Sequence, residues 1–198
     1  DRTEQTLWNT TGKVAGGTAE YAELFSTIDA GAQFTVTLNM DTDTAQDAAD
    51  LAQFLTGGAD TEWGKKRIDY GFEKPFNVKA YELGNELDWS GVGGSEYTVA
   101  QYIADCKTYI AAVRAVSPDA KFIAFADTAN YNKQKSGEDW RAWHKAILAD
   151  AELAGEIDYI ALHTYFDLVN NGLMDTIISA IEEDIAASAG KDRIKVYL

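Results

Sequence analysis

A single cysteine, two histidines, two prolines and a deficit of positive charge mark this chain of 198 residues. Cys106 has no partner for an internal disulfide, and one thiol with two histidines argues against a zinc site of the usual kind, so no metal is expected. The 17 Lys and Arg face 32 Asp and Glu, for a net charge of −15. Such a field repels phosphate backbones and anionic lipid, which argues against nucleic acid and membrane surfaces as partners and leaves a neutral substrate unaffected. No apolar run reaches the ~20 residues of a membrane span. The prolines, Pro75 and Pro118, mark no linker, and no low-complexity stretch divides the chain. Its length therefore reads as one domain. The first residue is Asp1 rather than Met, so processing or truncation stays open and no compartment is indicated.

The sequence does contain short β-rich runs alternating with helical patterns. Strands are predicted at 34–38, 78–83, 121–125, 157–162 and 194–198, each bounded by Gly, Asn, Asp or Pro. Between them the 95–116 segment carries Val99, Tyr102, Ile103, Cys106, Ile110 and Val113 at three- and four-residue spacing, one face of a helix on which Cys106 is a core residue. Weaker helical patterns cover 18–28, 44–55, 137–148 and 173–185, with Thr44 and Ser136 as candidate caps. Strand alternating with helix predicts a parallel sheet. Strand centres at Val36, Tyr81, Ile123, Ile160 and Val196 lie 45, 42, 37 and 36 residues apart. Eight such units need ~320 residues, so the chain holds about five units of a (β/α)8 barrel. A five-stranded doubly wound sheet is the alternative. The chain begins in irregular sequence before a helix and stops inside a strand, which reads as a single partial barrel over 1–198, truncated at both ends.

In any parallel α/β fold the chemistry gathers beyond the carboxyl ends of the strands. Those positions hold Asn39, Asp41 and Asp43, then Asn85, Glu86, Asp88 and Trp89, then Asp127 and Asn130, then His163, Tyr165 and Asp167. Carboxylates, amides and aromatic rings are what a carbohydrate site uses, although any single Asp or Asn there also serves as a helix cap. Glu82, inside a strand, is either buried against a cation or facing an incomplete barrel, and His144, in a helical segment, reads as a surface or packing residue. A nucleotide-binding sheet would carry a phosphate loop after its first strand, where this chain has Asn39-Met40-Asp41-Thr42-Asp43 with its two acids.

The run Tyr81-Glu82-Leu83-Gly84-Asn85-Glu86-Leu87-Asp88 delivers Asn-Glu at a strand end after a glycine. It resembles the acid/base motif of the clan A glycoside hydrolases, which are (β/α)8 barrels with Asn-Glu at the end of strand four. Within that clan the chain is most similar to the family 51 α-L-arabinofuranosidases. The features run in order: Val36-Thr37-Leu38-Asn39, then Trp63, Gly64, Arg67 and Gly71, then Pro75-Phe76-Asn77-Val78-Lys79, and finally Leu162-His163-Thr164-Tyr165. The resemblance spans 18–198 and implies strands three to seven of an incomplete α/β TIM-type barrel of about five parallel strands. It implies a retaining glycosidase acting on terminal arabinofuranosyl or related bonds of plant oligosaccharides or polysaccharides, with no cofactor. Glu86 would be the general acid/base, Asn85 would bind the sugar 2-hydroxyl, and Tyr165 would orient the nucleophile, with His163 lining the same subsite. Trp63 would wall the sugar and Asn39 would hold the base of the pocket. The nucleophilic glutamate is expected just beyond Leu198, so the chain alone is expected to lack turnover. Open strand edges call for the remainder of the barrel or a partner chain. The alternative is a non-catalytic barrel fragment serving carbohydrate binding or assembly. The residue following Leu198 separates the two: a glutamate within a few positions favours the enzyme, a stop codon the binding fragment.

Overall fold

The computed structural model describes residues 4–7, 10–13, 17–89, 97–163 and 171–198. In chain order these form β1 (Glu4–Leu7), β2 (Thr10–Lys13), α1 (Thr18–Ile28), β3 (Phe34–Leu38), α2 (Ala45–Thr56), α3 (Glu62–Asp69), β4 (Val78–Leu83), α4 (Val99–Val116), β5 (Phe122–Phe125), α5 (Asn130–Ser136), α6 (Ala142–Ala149), α7 (Ala151–Glu156), β6 (Tyr159–Ala161), α8 (Asn171–Ala186) and β7 (Lys195–Tyr197). β1 and β2 pair antiparallel, so the opening segment is a hairpin and not the irregular stretch expected from sequence. The other five strands form one sheet in the order β3-β4-β5-β6-β7, every neighbour parallel.

That order separates the two architectures left open by strand spacing. A doubly wound sheet reverses its strand order at a switch point, whereas a barrel adds each strand beside the last. Here the order never reverses. The sheet also curls: the Thr35 hydroxyl of β3 and the Tyr197 hydroxyl of β7, its two edge strands, meet at 2.8 Å. Val36, Leu38, Tyr81, Leu83 and Phe122 are buried in a core shared with Leu55 of α2 and with Tyr102, Cys106, Ile110 and Val113 of α4. Side chains alternate along a strand, so Thr35, Thr37 and Glu82 lie on the opposite, concave face. A register shift between Phe34 and Thr35 leaves Lys79 as an extra residue of β4, and its ammonium lies 4.9 Å from the centre of the Tyr197 ring.

Caps account for where several helices start. Thr44 accepts from the Asp47 N–H and Asp47 answers by accepting from the Thr44 N–H, a reciprocal cap that Thr98 and Gln101 repeat on α4. Thus α4 begins at Val99, and residue 95 lies outside the described residues. The helix expected over 137–148 starts five residues later, as α6, and a separate helix, α5, precedes it. Ser136 ends α5, Gly137 adopts φ +79 in the left-handed region that terminates helices, and α6 starts at Ala142. Ser136 therefore caps nothing that follows, and its hydroxyl turns to the Lys133 carbonyl and Glu138.

The helix α3 has no apolar stripe to announce it. It is organised by Arg67, which is fully buried and donates to the carbonyls of Phe54 and Gly57, each at 2.8 Å, and of Phe72 at 3.2 Å. Two of those acceptors belong to the last turn and C-cap of α2, groups that a helix end leaves unpaired. Burial lowers the Arg67 pKa, yet the group keeps its charge. Arg67→Ala should lower the unfolding free energy by about 2–4 kcal/mol, because it empties a filled site and orphans buried carbonyls. Urea unfolding checks this, and a loss under about 1 kcal/mol would show that water replaces the guanidinium freely.

Candidate active site

At the carboxyl end of β4 the chain turns sharply. Gly84 has φ +74 and its N–H reaches the Glu82 carbonyl at 3.1 Å. A β-carbon there would stand 2.5 Å from a methyl of Leu87, so both the backbone conformation and the space call for glycine. Glu86 follows with φ +54, the one non-glycine residue with positive φ among the described residues. For a glutamate this conformation costs about 1 kcal/mol, strain of the kind stored at working sites. The side chain is 13% exposed, and one carboxylate oxygen lies 3.4 Å from Nδ1 of His163.

His163 stands two residues past the end of β6. Its backbone carbonyl accepts from the Asn130 amide at 2.9 Å, and its ring stacks on Phe125 with 6.3 Å between centres. Its other ring nitrogen, Nε2, lies 2.9 Å from Oε1 of Glu82, whose Oε2 accepts from the Thr37 hydroxyl at 2.7 Å. One polar chain therefore runs from Thr37 of β3 through Glu82 of β4 and His163 after β6 to Glu86. The hydrogen bond to Glu82 raises the His163 pKa most; burial opposes it, the two carboxylate charges reinforce it, and the net shift is upward. For Glu82 burial is the largest single influence and pushes upward, but the bonds from His163 and Thr37 and the His163 charge together outweigh it, leaving the carboxyl below its usual value. Both shifts describe an ion pair.

Two further carboxylates line the same end. Asp88 accepts from the N–H and the hydroxyl of Thr128, and Asp127 pairs with Lys133 at 2.5 Å. Asp127 is buried, and that burial raises its pKa against the pull of Lys133. Among the described residues no group of three or more His, Cys, Asp or Glu is placed to hold a metal ion.

Of the residues singled out in the sequence, Glu86 and His163 are brought into contact. Asn85 lies beside them with an exposed side chain. Asn39 is at the same sheet end, but its amide closes its own loop, accepting from the N–H groups of Asp41 and Thr42 and donating to the Thr42 hydroxyl at 2.6 Å. Trp63 is the correction. It sits on α3, its N–H on the side chain of Gln53 and its ring under the Lys66 ammonium at 3.5 Å. Arg67 fixes α3 to the end of α2 that lies beside the amino ends of the strands, where Thr56 meets Ser117. Trp63 is thus remote from Glu86. Tyr165 falls in 164–170, outside the described residues. Glu82 and Thr37 were not foreseen as site residues. Each is a polar residue flanked by core residues within its strand, but a single strand does not reveal the register that makes them neighbours.

A family model described as the alpha-L-arabinofuranosidase 1 domain matches residues 2–168. The chain belongs to that family. Similar proteins include an intracellular exo-α-(1→5)-L-arabinofuranosidase of Halalkalibacterium halodurans, 24% identical over 89% of this chain and 33% of the relative. A protein of the same description from Streptomyces lividans is 23% identical over 88% of this chain and 25% of the relative. Among solved structures, an α-L-arabinofuranosidase from Thermotoga maritima in complex with arabinose superposes with a TM-score of 0.78 at 22% identity, covering 99% of this chain and 41% of that one. A family 51 enzyme from Bifidobacterium longum gives 0.78 at 19% identity, covering 96% and 38%. The chain thus spans about a quarter to a third of the length of these curated relatives. The five parallel strands and their helices are an incomplete barrel of this arabinofuranosidase family.

The ion pair has a defined pH window. The Glu82 contribution to stability is complete above the ordinary carboxylate value and is lost as pH falls through its lower folded value. That of His163 is complete below the ordinary imidazole value and is lost as pH rises through its higher folded value. A double-mutant cycle with Glu82→Gln and His163→Gln should give a coupling of about 1–2 kcal/mol at pH 5–6, shrinking on both sides. A coupling that keeps growing above pH 8 would contradict these shifts.

Proposed function

We propose that this chain carries the acid/base side of a retaining α-L-arabinofuranosidase that removes terminal arabinofuranosyl groups from plant oligosaccharides or polysaccharides. The observation that carries the reading is the half-buried Glu86, held in a left-handed turn at a strand end with an imidazole nitrogen 3.4 Å from its carboxyl. Glu86 donates its proton to the leaving glycosidic oxygen as the bond to C1 breaks, then takes a proton from the water that attacks the glycosyl intermediate. Asn85, exposed beside it, binds the sugar 2-hydroxyl, a contact that strengthens as positive charge develops on the ring. Tyr165 orients the nucleophile. The activity of the two similar proteins, exo-α-(1→5)-L-arabinofuranosidase, supports arabinan-type chains as the substrate class.

Retention requires a second carboxylate about 5–5.5 Å from the first. Three of the carboxylates at this end are engaged elsewhere: Glu82 with Thr37 and His163, Asp88 with Thr128, Asp127 with Lys133. The nucleophile is assigned, as the likeness to the family 51 enzymes implies, to a glutamate following β7 in a longer protein, and the open sheet edges to the remaining strands of the barrel. This assignment also leaves Asn39 as a loop-closing residue of the pocket floor.

The test compares leaving groups in a protein that carries this chain together with the segment after β7. Glu86→Ala should cut kcat/KM about 10²–10⁴-fold on an alkyl or sugar arabinofuranoside, whose leaving oxygen needs a proton. On 4-nitrophenyl arabinofuranoside, whose leaving group needs little protonation, the loss in the first step should be far smaller. Equal losses on both substrates, or none, would remove Glu86 from the acid/base role.

A further inference from the structure

The polar chain extends beyond Glu86, its one member that takes part in the proposed reaction. Glu82 lies within β4, four residues before Glu86, with its side chain only 13% exposed. Its two oxygens have separate partners: Oε2 takes the Thr37 hydroxyl of β3 at 2.7 Å, and Oε1 faces Nε2 of His163 at 2.9 Å. The opposite ring nitrogen is the one that faces Glu86. We propose that Glu82 is a positioning residue for Glu86: anchored by Thr37, it binds Nε2–H of His163 and so leaves Nδ1 to exchange a proton with the Glu86 carboxyl. The proposal rests on the acid/base reading of Glu86 for its catalytic consequence, but not for its geometry.

The argument follows from the two faces of an imidazole. A neutral ring carries one N–H, and the nitrogen that bears it is decided by the stronger acceptor. Glu82 is that acceptor, with the shorter contact and a fixed orientation from Thr37. Nδ1 then has a free lone pair in the neutral ring. When Glu86 is protonated, its O–H donates to Nδ1; when Glu86 is ionised, the ring takes that proton and donates Nδ1–H back. Atoms balance, since one proton moves between Glu86 and Nδ1 while Nε2–H stays on Glu82. Among the described residues, the charged groups that act on this imidazole are Glu82 from β4 and Glu86 from the turn after it. From β5 it meets the Phe125 ring, and Asp127, at the end of that strand, is taken by Lys133. The Glu82 anion thus holds a proton on the His163 ring to higher pH, beside the carboxyl that acts as general acid.

Nitrogen-15 NMR of histidine-labelled protein tests this directly on the 198-residue chain, whose two histidines give two sets of ring signals. In the wild-type chain the neutral His163 ring should carry its proton on Nε2. In Glu82→Gln, which keeps an acceptor but removes the charge, the His163 titration midpoint should fall by about 1 unit or more. His144, fully buried and bound to Asp184, reports whether the variant is folded. An unchanged His163 midpoint in a folded Glu82→Gln protein overturns the proposal, and so does a neutral ring protonated on Nδ1 in the wild type, a reading that needs no variant. In the longer protein Glu82→Gln should move the alkaline limb of the kcat profile to lower pH while KM changes less than about twofold. If Glu86→Ala retains full activity, the acid/base reading fails while the NMR result stands or falls independently.

Discussion

Parallel pairing in unbroken chain order is the constraint on which the rest of this structure depends. It sends the carboxyl ends of all five strands of this sheet to one side, so that Thr37, Glu82 and His163, far apart in sequence, close on one another and on Glu86. It also forces a helical return after each strand, and those helices cover the convex face with a continuous core. Curling brings the edge strands within a hydroxyl–hydroxyl contact of each other and leaves the concave face for polar residues. A reversed strand order would have separated Glu82 from His163 and dissolved the chain of contacts that reaches Glu86.

The two histidines show how placement, not residue type, decides chemistry. His144 is fully buried on α6, with Nε2 at 2.9 Å from Asp184 of α8, and burial lowers its pKa despite that carboxylate. Asp184 is already committed to Arg141, whose guanidinium grips both carboxylate oxygens, and its pKa is held below the usual range by Arg141 and His144 against the effect of burial. That cluster clasps two helices. His163 meets two carboxylates with opposite ring nitrogens, and its pKa is raised. The same side chain thus serves as a buried helix clasp in one place and as a bridge between two carboxylates in the other.

What the sequence revealed follows the strength of local signals. The strands at 34–38 and 78–83 and the helix at 18–28 match β3, β4 and α1, where β-branched runs or apolar spacing are bounded by Gly, Asn or Asp. The Asn85-Glu86 turn was legible because Asn-Glu after a glycine at a strand end resembles a family motif. The short helices were not: α5, from Asn130 to Ser136, has no apolar stripe, and α3 is held by one buried arginine. Trp63 entered the site through the family resemblance alone, and no local signal in the sequence shows that Arg67 docks its helix beside the amino ends of the strands. Glu82 stayed ambiguous because its partners, Thr37 and His163, lie 45 and 81 residues away.

The central claim is that the carboxyl end of β4 is where a glycosidic bond is broken. A crystal structure of a longer protein carrying this chain, bound to an arabino-oligosaccharide with the nucleophile neutralised by substitution, tests it most directly. The account predicts the scissile oxygen within hydrogen-bonding distance of Glu86, the sugar 2-hydroxyl on Asn85, and His163 still spanning Glu82 and Glu86. A sugar bound elsewhere on the barrel, with Glu86 facing solvent, would contradict it.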